Sequence, residues 1–217
     1  MNNDLLKARW EKGKNNTLRF YRAKLPWKAK AFNTKLFSLP DYFDKMIGDK
    51  KEVNIAEIGS GMFCSIGSLW KTAKVNMYPS DALAHEFNQM LKENNITPLV
   101  YIEKQDMEKL TYPDNFFDIV HCANALDHCA SPLEAIKEMY RVVKHGGYIY
   151  LCHFTDVGEH ERYSGLHMWN LNMDENNNFI IWNKEKRIQI NNFVPGFINS
   201  VNNNLGIGQI ISILQKT

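Results

Sequence analysis

The chain has 217 residues, of which 44% are hydrophobic and 23% charged, a composition typical of a globular domain with a full core. No apolar run approaches the ~20 residues of a membrane-spanning helix, and the charged start MNNDLLKARWEKGK lacks the apolar stretch of a signal peptide. We therefore expect a cytoplasmic protein without membrane insertion. The four cysteines show no CxxC spacing, so the sequence predicts neither a disulfide framework nor a metal site.

The net charge of +2 is unevenly distributed. Residues 1–51 carry 13 Lys and Arg against 5 Asp and Glu, whereas the remainder carries 13 against 19. A basic arm ahead of an acidic domain can attract an anionic substrate, a nucleic acid or a membrane surface. Equally, these charges can belong to a solvated helical lead-in and only keep it soluble.

The elements follow a simple order. Residues 1–48 are predicted to form helices interrupted at Pro26, and Pro40 precedes the short segment DYFDKMI. The predicted strands that follow are EVNIAEI, KVNMYPS, TPLVYIEK, FFDIVHCAN and YIYLCHFTD. The predicted helices between them are CSIGSLWKTA, DALAHEFNQMLKENN and SPLEAIKEMYRVV, the last closed by HGG. This alternation over 53–154 predicts an α/β fold, a doubly wound Rossmann-like sheet, mostly parallel, with helices on both faces.

The alternation of predicted strands and helices weakens after residue 155. Residues 155–178 are polar and aromatic without a clear period, and they are predicted to be an insertion between late strands. NFIIWN and QIISILQK are predicted as the last two strands, which brings the sheet to seven, with a short helix in VPGFINSVNNNL between them.

The turn NIAEIGSGMF raises the question of the ligand. Gly59 and Gly61 follow the first strand, where doubly wound sheets place their ligands. A phosphate loop is excluded because no Gly-Lys-Ser/Thr follows. A nicotinamide dinucleotide pattern needs a third glycine where this chain has Cys64, which weakens that interpretation without excluding it.

Acidic residues follow the next two strands. Asp81 lies 20 residues after Gly61, where a carboxylate can accept both ribose hydroxyls of a nucleotide cofactor. Asp106 lies just after the third strand, where it can accept a hydrogen bond from an adenine amino group while Met107 covers the ring. Asp81 and Asp106 together therefore suit the ribose and the adenine of a nucleotide cofactor in the crevice.

These motifs, in this order, resemble those of class I S-adenosylmethionine-dependent methyltransferases of the type 11 kind. The resemblance covers about residues 53–154 and rests on Glu57-Ile58-Gly59-Ser60-Gly61, Asp81, Asp106-Met107, Phe117-Asp118, His128, Pro132 and RVVKHGG. Other strings, such as NALDHCASP and YSGLHMWN, resemble a bacterial subgroup associated with surface-polysaccharide gene clusters. The resemblance implies a basic helical lid segment at 1–48 and a methyltransferase domain at 49–217.

The resemblance also implies a cofactor site for S-adenosylmethionine, with S-adenosylhomocysteine as the product. In this chain the site comprises Glu57, Gly59, Ser60, Gly61, Phe63, Asp81, Ala82, Asp106, Met107 and Asn124. Phe63 departs from the family, which usually has a third glycine there, so its side chain must point away from the cofactor or pack against it.

Methyl transfer to a hydroxyl needs the acceptor to lose a proton. His128, oriented by Asp127, lies just past the fourth strand and is the predicted general base. The alternative is a histidine that only caps the next helix, and His153 or His167 could replace it as the base.

Two segments are predicted to contact the acceptor. Tyr163, His167, Trp169 and Asn170 combine aromatic faces with hydrogen-bonding groups, which suits a sugar; the alternative is a structural plug that covers the edge of the sheet. Tyr21, Arg22 and Trp27 could close over an anionic acceptor, with His153 beside them in the substrate site.

The predicted reaction is therefore transfer of a methyl group to a small polar acceptor. We expect an oxygen of a sugar or a phosphorylated intermediate of capsule or surface-glycan synthesis, and a monomer or homodimer. Nucleic acid is not expected as a partner. The alternatives are an RNA methyltransferase that uses the basic arm, a NAD-binding oxidoreductase, and a non-catalytic cofactor-binding scaffold.

Overall fold

The computed structural model describes residues 3–32, 37–202 and 208–217. It begins with helix α1, Asn3–Phe32, which contains Pro26. The predicted interruption at Pro26 is wrong. A proline inside a helix costs about 3 kcal/mol, and the contact of this helix with the domain offsets that cost, since Leu25 is buried in a cluster with Phe63 and Phe87.

A 3-10 turn, Asp41–Phe43, and the short helix α2, Asp44–Ile47, lead into the sheets. The strands are β1 Glu52–Ile58, β2 Lys74–Asp81, β3 Glu103–Lys104, β4 Phe117–Ala123, β5 Val143–Phe154, β6 Asn170–Met173, β7 Phe179–Trp182, β8 Arg187–Gln189, β9 Ile198–Asn202 and β10 Gln209–Gln215. The remaining α-helices are α3 Ala84–Glu93, α4 Pro132–Val142 and α5 Val157–His160.

The main sheet has seven strands in the order β3-β2-β1-β4-β5-β10-β9. The pairings from β3 through β5 are parallel, and β10 pairs antiparallel with both β5 and β9. The order reverses between β1 and β4, which is the switch point where an open α/β sheet forms its crevice. The predicted mostly parallel, seven-stranded sheet is confirmed.

Two of the predicted helices are confirmed. In α3 the residues Ala84, Phe87, Met90 and Leu91 are buried on one face. Helix α4 begins with a proline in its first turn, where a backbone N–H would have no partner within the helix, so the missing N–H of proline costs nothing. It ends at Val142, and β5 begins at Val143, so the predicted closure of this helix by HGG is wrong.

The predicted helix CSIGSLWKTA is also wrong. The backbone N–H groups of Ser68 and Leu69 donate to the carbonyl of Phe37, at 3.0 and 3.2 Å, rather than to carbonyls one helical turn before them. Gly67 adopts a φ of +91°, and a Cβ there would press on the Phe37 and Ser38 carbonyls. The segment is therefore held in an irregular conformation by the chain that precedes the sheet.

Of the two predicted last strands, QIISILQK is confirmed as β10 of the main sheet, whereas NFIIWN was placed in the wrong sheet. NFIIWN forms β7, which belongs to a separate three-stranded antiparallel sheet, β6-β7-β8. The helix predicted in VPGFINSVNNNL is instead the edge strand β9, as far as the described residues reach, because its backbone pairs with β10. Gly196, with a φ of +99°, turns the chain into that strand.

The core lies on both faces of the main sheet. On one face, α4 and the small sheet cover alternate residues of β1, β4 and β5, including Ile58, Val120 and Leu151. On the other, α2 covers Ile55 and Ile119. Among the described residues, no helix is both long enough and apolar enough to cross a bilayer.

Candidate functional site

A cavity of about 660 Å³ opens beyond the carboxyl ends of β1, β2 and β4, within the usual size range of small-molecule sites. It lies at the switch point of the sheet. Helix α1 supplies one of its walls. The lining residues central to its chemistry are Gly59, Gly61, Asp81, Ala82, Asp106, Met107, Asn124, Tyr21 and His128, all predicted from the sequence.

The glycine turn that follows β1 forms the floor of this cavity. The N–H groups of Gly59 and Ser60 donate to the Ser80 carbonyl at 2.8 and 3.0 Å, which locks the turn to the end of β2. Gly59 and Gly61 both have a φ near +70°. A Cβ at Gly61 would collide with the Tyr21 hydroxyl, so α1 can approach this closely only over a glycine.

Asp81 is fixed beside this turn. Its Oδ2 accepts the Gly61 N–H at 3.0 Å, and its Oδ1 accepts the Leu83 N–H at 2.8 Å. Burial raises the pKa of Asp81, and these two hydrogen bonds oppose that rise. A carboxylate has about four acceptor sites, so Asp81 can still accept hydroxyl donors from a ligand in the cavity.

The neighbouring strand ends complete this half of the cavity. The Asp106 carboxylate accepts the Glu108 N–H at 2.9 Å, which fixes a tight turn after β3. The Met107 methyl group lies against Gly59. Asn124, with a φ of +48°, accepts the Phe154 N–H at 3.0 Å through its side chain.

Three predicted cofactor residues do not line the cavity. Glu57 is buried, and both its oxygens accept the Ser65 N–H, at 3.1 and 3.2 Å, while one also accepts the Ser65 hydroxyl. Burial raises the pKa of Glu57 to about 7, against these hydrogen bonds. The Ser60 hydroxyl donates to the Gly61 carbonyl at 3.2 Å. Phe63 is buried in a hydrophobic cluster with Leu25 of α1 and Phe87 of α3.

The predicted catalytic pair belongs to a cluster of three residues. Asp127 is buried in the 3-10 turn Leu126–His128, and its Oδ2 lies 2.6 Å from His167 Nδ1 and 3.3 Å from His128 Nε2. The two histidine nitrogens are 3.3 Å apart. The side chains of His128 and His167 are about one third exposed, at 31% and 32%. His128 lines the cavity, so the cluster lies at its edge.

Burial and hydrogen bonds within the cluster shift the pKa values of its three residues. Burial lowers the pKa of His128, and Asp127 only partly opposes this, so His128 is neutral near pH 7. The hydrogen bond with Asp127 raises the pKa of His167. Although burial opposes it, the same bond holds the pKa of Asp127 below its usual value.

The other predicted acceptor residues are more dispersed. Trp169 is buried, and its indole N–H donates to the Cys129 carbonyl at 3.0 Å. The buried Asn170 donates to the Tyr163 hydroxyl at 2.8 Å. His153 is also buried. None of these four lines the cavity.

Helix α1 meets the cavity through a different face from the one predicted. Arg22 is exposed and Trp27 is 61% exposed, and neither lines the cavity, whereas Tyr21 does. The sequence analysis missed Trp10, Lys14 and Thr17, which line it with Tyr21. Their spacing of 10, 14, 17 and 21 is that of one helix face and is the signal that identifies them.

Two ties hold α1 in this position. The Arg9 guanidinium donates to the carbonyls of Tyr163, Gly165 and His167, at 2.7, 2.8 and 3.3 Å. Lys14 forms an ion pair with Glu86 of α3 at 2.6 Å. One tie joins α1 to the segment that precedes β6, and the other joins it to α3.

Comparison with known proteins matches the same part of the chain. Residues 57–151 match the family model described as a methyltransferase domain. A ubiquinone/menaquinone biosynthesis C-methyltransferase, UbiE, of Neisseria meningitidis is 35% identical over 91 residues, which are 42% of this chain and 34% of that protein. The chain thus spans about a third of the length of this curated relative.

Solved structures share the whole fold at low identity. One is a chain of the complex between the Trm112 methyltransferase activator of Haloferax volcanii and a methyltransferase, with a TM-score of 0.54, 12% identity and coverage of 92% of this chain and 98% of that one. Another is an S-adenosylmethionine-dependent methyltransferase of Listeria monocytogenes, with a TM-score of 0.51, 15% identity and coverage of 81% and 96%.

The family match covers the glycine turn, the two acids Asp81 and Asp106, and two residues of the cluster, Asp127 and His128. The donor set of the cavity suits S-adenosylmethionine, the cofactor of that family, because two carboxylates for hydroxyl and amino donors lie beside an apolar thioether. Residues 57–151 of the chain therefore match a methyltransferase domain, and the fold around them is the one that these solved methyltransferase structures share.

Proposed function

We propose that this protein transfers a methyl group from S-adenosylmethionine to a small acceptor, at an oxygen atom. The observation that carries the proposal is the glycine turn. Gly61 and Asp81 are joined by a 3.0 Å hydrogen bond at the floor of a cavity of about 660 Å³. That arrangement presents a fixed carboxylate and an accessible backbone to a nucleoside ligand.

The chain's residues have distinct roles in this proposal. Asp81 would accept the ribose hydroxyls, and Asp106 the adenine amino group, with Met107 against the ring. When bound, S-adenosylmethionine supplies an electrophilic methyl group on a sulfonium. The protein would align the acceptor and exclude water, and the wall formed by α1 would contribute to both.

His128 is the group proposed to take the acceptor's proton. It lines the cavity, and when Nε2 of its neutral ring carries the proton toward Asp127, the other ring nitrogen, Nδ1, has a free lone pair that can accept a proton. Positioned general bases contribute on the order of 10²–10⁴-fold to a rate. Asp127 would orient the ring, and His167 would hold Asp127 through the 2.6 Å hydrogen bond.

Polar groups favour a sugar or a phosphorylated acceptor of the kind used in surface-glycan synthesis. Lys14 and Thr17 of α1 line the cavity, and the Lys14 ammonium, although paired with Glu86 at 2.6 Å, has three N–H donors and can share them with an anionic oxygen. We propose this acceptor class first. The partner is then a small molecule, and the segments 1–48, 49–217 and 155–178 would serve as lid, domain and acceptor-side insertion.

A hydroxylated aromatic ring is the second candidate acceptor. Trp10, Leu166 and Met168 give the cavity an apolar wall, which suits a ring better than a sugar. The UbiE relative is named for ubiquinone and menaquinone biosynthesis, and that name supports a ring acceptor against this apolar wall.

The experiment is a calorimetric titration of the full chain with S-adenosylhomocysteine and, separately, with NAD. We expect one S-adenosylhomocysteine per chain and no NAD binding. Asp106→Ala should weaken binding, whereas Asp49→Ala, at an exposed position outside the cavity, should not. Binding of NAD alone would overturn the proposal. Mass-spectrometric detection of methylated products from panels of sugar phosphates and hydroxylated rings then separates the two acceptor classes.

A further inference from the structure

The Asp127–His128–His167 cluster has a geometry that the methyl-transfer proposal does not explain. Two imidazole nitrogens and one carboxylate oxygen lie at mutual distances of 2.6, 3.3 and 3.3 Å. The two nitrogens both face Asp127 Oδ2 and also face each other. If each carried a proton toward that oxygen, two N–H groups would lie only 3.3 Å apart, so the set is poorly served by hydrogen bonds alone.

These separations match those of a metal's ligands. Zinc binds nitrogen and oxygen ligands at about 2.0–2.2 Å, which places tetrahedral ligand atoms about 3.3–3.5 Å apart. Two of the three distances already have this value. The third, between Asp127 and His167, is a hydrogen bond of 2.6 Å and would open by about 0.7 Å once a cation replaced the shared proton.

A buried imidazole lies near the cluster. His153 is 1% exposed, and both its ring nitrogens lack a hydrogen-bond partner within the described part of the chain. It lies close enough to Asp127 and His128 for their charges to act on its pKa, although burial is the main cause of its lowered value of about 4. An unpartnered polar ring costs free energy, so the surroundings of the cluster contain a second buried imidazole whose hydrogen-bonding groups the described residues leave unsatisfied.

We propose that Asp127, His128 and His167 bind one divalent transition-metal ion of the zinc class, with an open coordination position facing the cavity. Two histidines and one carboxylate form a ligand set that catalytic metal sites use while keeping such a position open. His128 lines the cavity, so the open position would take an oxygen of the acceptor. This inference rests on the proposed function, and it defines the acceptor as a molecule with a metal-binding hydroxyl or enol oxygen.

In the metal-loaded protein His128 would be a ligand rather than a base. The acceptor oxygen, bound to the cation, would lose its proton to solvent water at a lower pH than it does when free. A chelator distinguishes the two roles of His128, because removal of the metal lowers activity only if His128 acts as a metal ligand.

The test is a titration of the EDTA-dialysed, full-length chain with cobalt(II) chloride, followed by visible absorption. We expect one Co²⁺ per chain with an absorption band characteristic of four-coordinate cobalt, and displacement by Zn²⁺. Loss of an outer-sphere partner typically weakens metal binding 10–100-fold, so His128→Ala and His167→Ala should each weaken it by more than about 100-fold. His85→Ala, an exposed histidine of α3, should bind like the wild type.

The variants are suited to this test because both side chains are about one third exposed, so their removal leaves the core intact. Far-UV circular dichroism checks the fold of each. Absence of the cobalt band, its retention in either ligand variant, or an equal loss in His85→Ala would overturn the metal site. S-adenosylhomocysteine titration of the metal-free protein runs in parallel. If S-adenosylhomocysteine binds but cobalt does not, only the metal site is refuted. If cobalt binds but S-adenosylhomocysteine does not, only the proposed function is refuted.

Discussion

Glu57 provides a quantitative test of how the glycine turn is supported. Its carboxyl is buried below that turn and accepts hydrogen bonds from Ser65 and the neighbouring Cys64. Burial is the largest influence on this carboxyl and outweighs the hydrogen bonds, so it raises the pKa from 4.5 to about 7. We predict that this carboxyl makes the protein less stable as the pH rises, and that Glu57→Gln removes the dependence.

The sign follows from proton linkage. The folded state holds its proton on Glu57 up to about pH 7, whereas the unfolded state releases it near pH 4.5. Between these values the folded state binds more protons, so the free energy of unfolding falls as the pH rises. The contribution is fully present below pH 4.5 and lost above about 7. At 1.36 kcal/mol per pH unit, the whole effect is about 3 kcal/mol.

The assay is urea unfolding followed by tryptophan fluorescence at pH 5, 6, 7 and 8. The difference in unfolding free energy between Glu57→Gln and wild type should move in the variant's favour by about 2–3 kcal/mol from pH 5 to pH 8. Glu134→Gln, at an exposed ion pair on α4, should change stability by less than about 1 kcal/mol throughout. A Glu57→Gln difference that is the same at pH 5 and pH 8 would refute the reasoning.

The remaining predictions concern the contact of α1 with the cavity. Gly61→Ala should cost more than about 2 kcal/mol of stability and abolish S-adenosylhomocysteine binding, because the new methyl group meets the Tyr21 hydroxyl. Gly146→Ala, with a similar φ but open space, should cost only about 1–2 kcal/mol and leave calorimetric binding intact; equal effects would contradict the clash. Arg9→Ala should cost about 1–3 kcal/mol and increase tryptic cleavage within α1, because the ties to 163–167 are lost. Arg9→Lys should recover only part, since an ammonium lacks the guanidinium fork, and unchanged proteolysis in both would show that Arg9 does not hold the helix.

The sequence predicted the central sheet well because local patterns determine it. β1, β4 and β5 are apolar runs bounded by turns, and the glycine turn and two acids fall at strand ends that a parallel sheet brings together. Asp81, Asp106, Met107 and Asn124 therefore lie in one cavity, as the motif spacing implied.

The sequence failed where tertiary contacts override local preference. Pro26 lies within a continuous helix because Leu25 packs against the domain, and CSIGSLWKTA is irregular because Phe37 takes its backbone donors. The β6-β7-β8 sheet was missed because its strands have only three or four residues each.

Long-range polar clusters were equally hard to predict. His128 and His167 are 39 residues apart, so no motif spacing shows that Asp127 brings them together. The prediction of no metal site considered cysteine spacing and could not register this cluster. Glu57 was placed in the cofactor site by resemblance, whereas its side chain supports the turn from below through Ser65.

The most direct measurement is a crystal structure of the protein with S-adenosylhomocysteine. The account predicts one ligand in the cavity, with ribose hydroxyls on Asp81, the adenine against Met107 with its amino group on Asp106, and the sulfur facing the side of His128. Density for the ligand elsewhere, or an empty cavity at a ligand concentration that saturates calorimetric binding, would contradict the assignment of this cavity as the methyl-donor site.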